Sequence, residues 1–286
     1  MRVVSYNVNG IRALARKGGL DRLASLAADV VCLQEVRADA QQLTVAAASH
    51  AASLGSNVVF AESRAKGRNG VAIFTRYDVL QSSVELPGFA GEGRWAEALL
   101  QTDSGRVWVV SAYVPKGYVG DARQAHKAEF LAAMTARMGQ MTLEGTDSSP
   151  DALVASDLNI AHQDIDLKNW KGRRGSSGVL PEERAVLDTW QGQGWVDVGR
   201  QLTGLRPGPY SWWSQRGRAF DNDSGWRIDA IWATPSLSER ASDHAIDKPP
   251  SWDERWSDHA AVVVDFADEA VAPPAKTGRN AASDRR

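Results

Sequence analysis

The sequence predicts an α/β protein in which two sheets pack face to face and helices cover their outer faces. Three observations favour this fold class. Apolar runs of strand length alternate with stretches of helical periodicity, the pattern falls into two similar halves, and no linker-like stretch interrupts residues 1–266. Two similar halves fit two packed sheets better than one parallel, doubly wound sheet. We therefore expect a single domain over residues 1–266, followed over residues 267–286 by a disordered tail rich in Ala, Pro, Lys, Asp and Arg.

The first half contains six predicted strands and three predicted helices. Short apolar runs indicate the strands, and longer runs with apolar residues three or four apart indicate the helices. The strands are predicted at residues 3–10, 29–35, 57–61, 71–74, 96–101 and 107–114. The helices are predicted at residues 11–26, 38–54 and 124–141.

The second half repeats the alternation of strands and helices. It begins with a strand over 153–160, continues through a basic, glycine-rich loop over 168–178, and then enters a helix at Pro181, with acidic residues in its first turn. Further strands are predicted at residues 195–198 and 261–264. Residues 210–214 and 225–232 are predicted to pair with each other.

Polar side chains terminate several of these strands. Asp157 and Asn159 lie two residues apart, so in an extended segment both point into the same space. Alone they would be ordinary turn residues, but four other stretches end in the same way. The full set comprises Asn7, Glu35, Tyr113, Asp157, Asn159, Asp229, Asp258 and His259. Ligands rich in oxygen, with few nitrogens and no thiolate, favour Mg²⁺ or Mn²⁺ over zinc, and such a site suits a phosphate ester.

His259 directly follows Asp258, and two roles are open to it. A neutral imidazole bonded to a carboxylate would be a general base, whereas an imidazolium would hold a phosphate oxygen. Two other types of site are poorly supported. No serine sits in a Gly-x-Ser-x-Gly setting, and the glycine-rich loop lacks the Gly-Lys-Ser/Thr ending of a nucleotide-binding loop.

Composition limits the class of protein. The net charge of -2 indicates no nucleic-acid partner by itself, so DNA binding would need a local basic patch. The single cysteine, Cys32, lies in an apolar run, which excludes a disulfide framework and fits a reducing cytoplasm. No signal peptide or apolar stretch of membrane-spanning length is visible. We therefore expect a cytoplasmic protein without a membrane partner, and a monomer because no self-complementary apolar stripe stands out.

Seven short motifs lie in chain order at residues 6–12, 33–35, 70–72, 113–115, 156–160, 225–229 and 257–259. Together they resemble exonuclease III and the apurinic/apyrimidinic (AP) endonucleases, within the endonuclease/exonuclease/phosphatase superfamily. Glu35, the Asp157/Asn159 pair and the Ser-Asp-His sequence at 257–259 mark the superfamily only. The stretches 161–169, 181–184 and 225–229 are narrower and indicate the DNA-repair branch.

The resemblance implies a four-layer αββα sandwich of two mixed sheets flanked by helices. It implies Mg²⁺-dependent cleavage of the phosphodiester 5′ to abasic sites in duplex DNA, with 3′-to-5′ exonuclease and 3′-phosphatase activity on blocked 3′ ends. A superfamily phosphatase acting on a non-DNA phosphoester is the rival enzyme, because its Asp/Asn and Asp-His motifs would look alike. A catalytically inactive DNA-binding relative is the third hypothesis.

The resemblance also implies which residues bind the metal. Glu35 is the chief ligand, with Asn7 and Asp258 near the metal. The remaining candidate ligands are Asp157, Asn159 and His259.

Catalytic roles follow from the same resemblance. Asp157 activates or orients the attacking water, while Asn159 and Tyr113 position the phosphate. His259, supported by Asp229, contacts the scissile phosphate oxygen.

The candidates for binding substrate come from the resemblance and from the basic loop. They are Asn9, Arg173 and Arg174 of the basic loop, and Trp212, Trp226 and Ile228, which match a pocket for a flipped-out sugar. Three features depart from the family pattern. Arg37 stands where Lys is common, Arg68-Asn69 replaces an aromatic-containing pair, and the variable loop 116–123 is expected to influence the balance between exonuclease and endonuclease activity.

Overall fold

Two large sheets and one small two-stranded sheet form the centre of the computed structural model, which describes residues 1–143 and 150–269. The strands are β1 (Arg2–Asn7), β2 (Val30–Gln34), β3 (Asn57–Ala61), β4 (Val71–Thr75), β5 (Asp78–Ser83), β6 (Trp95–Thr102), β7 (Gly105–Tyr113), β8 (Asp151–Asp157), β9 (Val196–Asp197), β10 (Trp212–Trp213), β11 (Gly225–Trp226), β12 (Asp229–Ala233), β13 (Ala241–Asp247) and β14 (Ala261–Phe266). The α-helices are α1 (Ile11–Arg16), α2 (Gly19–Ser25), α3 (Ala40–Ala47), α4 (Ala51–Leu54), α5 (Ala122–Leu143), α6 (Pro181–Gly192), α7 (Val198–Thr203) and α8 (Pro235–Ser238).

Both large sheets are mixed and have six strands. The first has the order β13-β14-β1-β2-β4-β3, and the second has the order β5-β6-β7-β8-β12-β9. The β1–β2 pair and the β7–β8 pair are parallel. The neighbouring pairs that flank them, such as β1–β14 and β8–β12, are antiparallel. The carboxyl ends of β1, β2, β7 and β8 therefore lie at corresponding edges of the two sheets.

Alternation along the strands builds the four layers. Val3 packs between the sheets, whereas the next residue, Val4, packs with the apolar residues of α1 and α2. Ala155 likewise packs between the sheets, and Val154 packs with the apolar residues of α5 and α6. Strands that are buried on both faces read as continuous apolar runs, which is why they were visible in the sequence. The αββα sandwich expected from the sequence is confirmed.

The prediction of one continuous helix over 11–26 is wrong. The chain forms two short helices, α1 and α2, separated at Gly18, whose φ of 75° lies in the left-handed region. The predicted helix over 38–54 is also divided, because a 3₁₀ turn at Ala48–His50 separates α3 from α4. Apolar periodicity predicted the buried faces correctly but did not show where the helical backbone breaks.

The predicted pairing of 210–214 with 225–232 holds only in part. Trp212–Trp213 pairs with Gly225–Trp226, but β12 leaves this pair and joins β8 in the second sheet. Two strands, β5 and β13, were not predicted. Each lies at the edge of a sheet and is largely polar and partly exposed, so it lacks the apolar pattern of a central strand.

At the end of the described chain, the amide of Ala267 donates to the carbonyl of Arg240. The rest of the predicted tail, residues 270–286, lies outside the described residues. Among residues 1–143 and 150–269, no helix combines the length and apolar character that crossing a membrane requires.

Candidate functional site

The polar strand ends meet where the two sheets face each other. After β1, β2 and β8, the residues Asn9, Glu35 and Asn159 adopt left-handed backbone conformations, with φ of 47°, 49° and 49°. Such conformations are uncommon for residues other than glycine and concentrate at functional sites. Here they turn the chain sharply as each strand ends, so that polar side chains from different strands share one space.

Asn7 joins the two sheets at this point. Its side-chain amide donates to Glu35 Oε1 and to Asp157 Oδ2, at 2.8 Å in each case. Asn7 itself is fully buried. Both amide protons therefore hold carboxylates, one from each sheet.

Three of the predicted metal ligands are brought together. Ligand atoms of Glu35, Asp157 and His259 all lie within 4.8 Å of one another. Burial alone raises the pKa of Glu35, but the bond from Asn7 and the charge of Arg37 outweigh it and hold that pKa below its usual value. Carboxylate oxygens next to an amide fit a hard divalent cation such as Mg²⁺ or Mn²⁺.

Asp157 is the most deeply buried carboxylate of the site. Burial, together with the nearby charge of Asp229, raises the pKa of Asp157 to about 7. The backbone amide of Asn159 donates to Asp157 Oδ1 at 3.0 Å. A carboxylate that titrates near neutral pH and is held in a fixed orientation is suited to accept a proton.

His259 lies against Asp229, as expected. Its Nδ1 is 2.8 Å from Asp229 Oδ2, and the same oxygen accepts a hydrogen bond of 2.6 Å from the hydroxyl of Ser211. Burial disfavours the imidazolium, but the charges of Asp229 and Asp157 outweigh it and raise the pKa of His259 to about 10. Of the two roles left open by the sequence, this environment favours the imidazolium. Ser211 was not predicted, and no local sequence signal distinguishes it from other serines.

Asp258 lies beside the three-residue group rather than within it. Its Oδ1 accepts from the side chain of Asn9 at 2.8 Å, and its Oδ2 accepts from the indole of Trp212 at 3.1 Å. Asn9, predicted to bind substrate, thus bonds to a candidate ligand. The bond from Trp212 to Asp258 also connects the metal-binding side of the site to its aromatic wall, which consists of Trp212 and Trp226.

The predicted aromatic pocket is only partly assembled as expected. Trp212 and Trp226 meet edge to face with ring centroids 6.1 Å apart, and the ring of Trp212 lies 6.5 Å from that of His259. Both tryptophans are partly exposed. Ile228 is 5% exposed, and its carbonyl accepts from the amide of Leu158, so it supports the wall from behind.

A basic cleft of about 480 Å³ opens on the other side of Glu35 and Tyr113. Its basic lining residues are Arg37, Arg68, Arg94, Lys116, Arg123 and His126. The guanidinium of Arg94 lies 4.6 Å from the centroid of the Tyr113 ring. Burial and the charges of Glu35 and Asp157 raise the pKa of Tyr113 well above its usual value, so its phenol remains a donor. Sequence reasoning missed Arg94, because an isolated arginine carries no positional signal, whereas Lys116 and Arg123 belong to the loop 116–123 named from the sequence.

The basic loop 168–178 borders the aromatic wall but does not enter the cluster. Leu167, just before the loop, forms a β-bridge with Trp226. Arg173 and Arg174 are both exposed, and the guanidinium of Arg174 stacks 4.4 Å from the Trp170 ring centroid. Basic surfaces therefore flank the site on two sides.

Comparison with known proteins agrees with this geometry. The model of the Endonuclease/Exonuclease/phosphatase family matches residues 4–259. The chain is 32% identical over 251 residues to the exodeoxyribonuclease of Bacillus subtilis, with 86% of this chain and 93% of that relative covered. It is 30% identical over 258 residues to exodeoxyribonuclease III of Haemophilus influenzae, covering 86% and 92%. The structure of an AP endonuclease from Archaeoglobus fulgidus matches with a TM-score of 0.80 at 26% identity, covering 93% of this chain and 99% of that chain.

Proposed function

This chain belongs to the endonuclease/exonuclease/phosphatase family, and on that premise we propose that it is a Mg²⁺-dependent DNA-repair nuclease that cleaves duplex DNA on the 5′ side of abasic sites. The observation that carries the proposal is the cluster of Glu35, Asp157 and His259 between an aromatic wall and a basic cleft. The names of the relatives, an exodeoxyribonuclease and an AP endonuclease, support the same reading.

Glu35 would be the chief ligand of the cation, with Asn7 keeping Glu35 and Asp157 in place. A bound Mg²⁺ would supply positive charge that stabilises the phosphate as negative charge develops on it. His259, as an imidazolium, would donate from Nε2 to a non-bridging phosphate oxygen. Asp157, held in a fixed orientation by the side chain of Asn7 and the backbone amide of Asn159, would accept a proton from the attacking water.

Tyr113 and Asn159 would position the phosphate. One amide proton of Asn159 donates to the carbonyl of Val114 at 3.1 Å, which leaves the other free for a substrate oxygen. The Tyr113 phenol is held beside Glu35 and under Arg94, and it is a neutral donor at working pH. Fixed donors of this kind stabilise charge without having to reorganise during the reaction.

The aromatic wall supports selection of a sugar that lacks a base. Trp212 stands beside His259 and Trp226 stands beside Trp212, so a flipped-out deoxyribose placed against this wall would present its phosphate to the imidazolium. A sugar without a base loses little stacking when it leaves the duplex. The basic cleft and the loop 168–178 would bind the backbone on either side, with Arg173 and Arg174 contributing from the loop.

We further propose 3′-to-5′ exonuclease and 3′-phosphatase activity from the same site, since both reactions break a phosphoester at the same position. Loop 116–123 supplies Lys116 and Arg123 to the basic cleft, which supports an influence on the balance between these activities. Cys32 is buried and free, in keeping with the proposed reducing cytoplasm, where we expect the enzyme to act as a monomer.

The proposal is tested with an end-labelled duplex that carries one tetrahydrofuran abasic analogue, incubated with Mg²⁺ or with EDTA. We expect a single cut 5′ to the analogue that EDTA abolishes, and shortening from the 3′ end as the exonuclease product. Glu35→Ala and Asp157→Asn should each lower the rate at least ~100-fold, whereas Asp253→Asn, at an exposed carboxylate, should cleave normally. Absence of cutting by the wild type, with release of phosphate from inositol phosphates or nucleotides, would instead support the phosphatase. Metal-independent duplex binding without any hydrolysis would support the inactive relative.

A further inference from the structure

We propose that the buried ion pair between Lys127 and Glu183 is a positioning element of the nuclease site. The inference rests on the proposed function. In this assignment Lys127 fixes the backbone of Asn159, and Glu183 fixes the end of the basic loop 168–178. Neither residue would touch the substrate, so both act through the residues that they hold.

Lys127 projects from α5 into the interior and is fully buried. Its Nζ lies 2.7 Å from Glu183 Oε1 and donates to the carbonyl of Asn159 at 2.9 Å. A buried ion pair is a poor source of stability, because removing two charges from water offsets most of their attraction, and apolar replacements are often tolerated. Its contact with a candidate catalytic residue indicates a role in positioning.

Asn159 is held by three hydrogen bonds from three different directions. Its amide donates to Asp157, its side chain donates to Val114, and its carbonyl accepts from Lys127. Its φ of 49° lies in the left-handed region, which asparagine tolerates better than most residues. Without the bond from Lys127, the peptide that follows Asn159 can rotate, and the side chain then loses its orientation toward the phosphate.

Glu183 accepts several hydrogen bonds from the end of the basic loop. The amide of Gly178 donates to its Oε2 at 2.6 Å and that of Leu180 at 3.1 Å, while the hydroxyl of Ser177 donates to its Oε1 at 2.9 Å. Gln124 of α5 adds another bond to Oε1 at 2.9 Å. Glu183 thus accepts bonds from the loop, from α5 and from Leu180, the residue that precedes its own helix.

Gly178 packs the end of the basic loop against Asn159 and Trp226. A Cβ at this position would lie 3.0 Å from the carbonyl of Asn159 and 3.1 Å from the ring of Trp226. The carbonyl of Gly178 also accepts from the amide of Ala161 at 2.8 Å. The loop end, Asn159 and the aromatic wall are therefore packed as one unit, and the ion pair lies directly behind them.

A double-mutant cycle between Lys127→Met and Asn159→Ala tests the role of the lysine. We expect Lys127→Met to lower kcat for the abasic duplex by roughly 10- to 100-fold, as a small misplacement of a catalytic group does. In the Asn159→Ala background the same change should lower kcat less than about threefold, because the residue that Lys127 positions is gone. An equal loss in both backgrounds, or a normal kcat for Lys127→Met, would overturn the proposal.

Affinity for DNA distinguishes the role of Lys127 from that of Glu183. Affinity for uncleaved duplex, measured in EDTA, should be unchanged in Lys127→Met, whereas Glu183→Gln should weaken it by about 3- to 10-fold through the loosened loop. If both variants bind and cleave as the wild type does, the pair has no positioning role. Wild-type protein that does not cleave DNA at all would refute the proposed function instead, so the two failures are distinguishable.

Two controls separate an effect on catalysis from an effect on folding. If Lys127→Met fails to fold because it leaves Glu183 buried without its cation, the neutral pair Lys127→Met/Glu183→Gln restores the balance of charge and replaces it in the cycle. Arg137→Met is the matched control. Arg137 lies on the same helix as Lys127, ten residues or about 15 Å further along, and pairs with Glu97 of β6. Its loss should lower Tm without changing kcat.

Discussion

Asp229 determines the charge of His259, and Asp229→Asn is the substitution that tests this most directly. The variant keeps the shape of the side chain and removes its charge. In the native protein, Asp229 Oδ2 accepts from His259 Nδ1 at 2.8 Å and from the hydroxyl of Ser211 at 2.6 Å. His259 is 6% exposed, so solvent screens this interaction little.

The magnitude follows from the pKa of His259, which is about 10 against an ordinary 6.5. At about 1.4 kcal/mol for each pH unit, the site as a whole favours the imidazolium by a net amount of about 5 kcal/mol. Asp229 has the largest influence of these carboxylates, ahead of Asp157 and Asp258, and burial acts in the opposite direction. With Asp229 neutral, we expect the pKa of His259 to fall by about 2 or more.

The assay is an NMR titration of the His259 ring in metal-free protein, followed by cleavage of the abasic duplex. At pH 9 a variant imidazole with a pKa of about 8 or below is roughly nine-tenths neutral, whereas the wild-type ring is still largely protonated. At that pH we expect the rate of the variant to be about 10-fold or more below that of the wild type, because the charged donor to the phosphate is lost. Part of the loss should be recovered as the pH is lowered toward the new pKa. Ser211→Ala, which removes the other bond to the same oxygen, is the control and should leave the ring pKa within about 1 of the wild type. A pKa that stays above 9 in Asp229→Asn would refute the reasoning.

Two further substitutions test the surroundings of the site. Gly178→Ala should destabilise the protein by about 1–3 kcal/mol and slow cleavage, because the new methyl group meets the carbonyl of Asn159. Gly175→Ala is the control, because Gly175 lies in the same loop with φ +77° but has open space around it. The control variant therefore measures the cost of the backbone conformation alone. Urea unfolding of the two variants should differ, and equal losses would argue against the close packing. Burial and repulsion by Arg227 lower the pKa of His244 to about 4. The unfolded chain therefore binds an extra proton between pH 6.5 and 4, so stability should fall by about 3 kcal/mol as the pH falls through that window. His244→Gln should lose less stability over the same window, and an identical pH profile would contradict this assignment.

The central strands were predictable because their sequences carry the information locally. Strands such as β2 and β8 are buried on both faces and read as continuous apolar runs that end in polar residues. The fold class and the family resemblance rest on these runs and on short contiguous motifs, and both are confirmed. The edge strands β5 and β13 and the break at Gly18 were missed, because an exposed edge and a helix interruption leave no apolar period to detect.

The chemistry of the site could be listed from the sequence, but its assembly could not. The residue types and their positions at strand ends identified Glu35, Asp157 and His259 as candidates for a hard cation and a phosphate. Their roles in catalysis stay predictions. No local pattern indicated Lys127, because a lysine on an amphipathic helix is ordinarily a solvent-exposed residue.

What the sequence determined by itself is therefore the set of chemical groups and the class of fold that carries them, since both depend on neighbours along the chain. The tertiary structure decided which groups meet and in what charge state. The bond from Asn7 to Asp157 joins residues 150 positions apart, and the imidazolium of His259 exists only because carboxylates from other strands surround it in a buried space. Distance and dielectric environment are properties of the packed chain, and they are absent from any local stretch of its sequence.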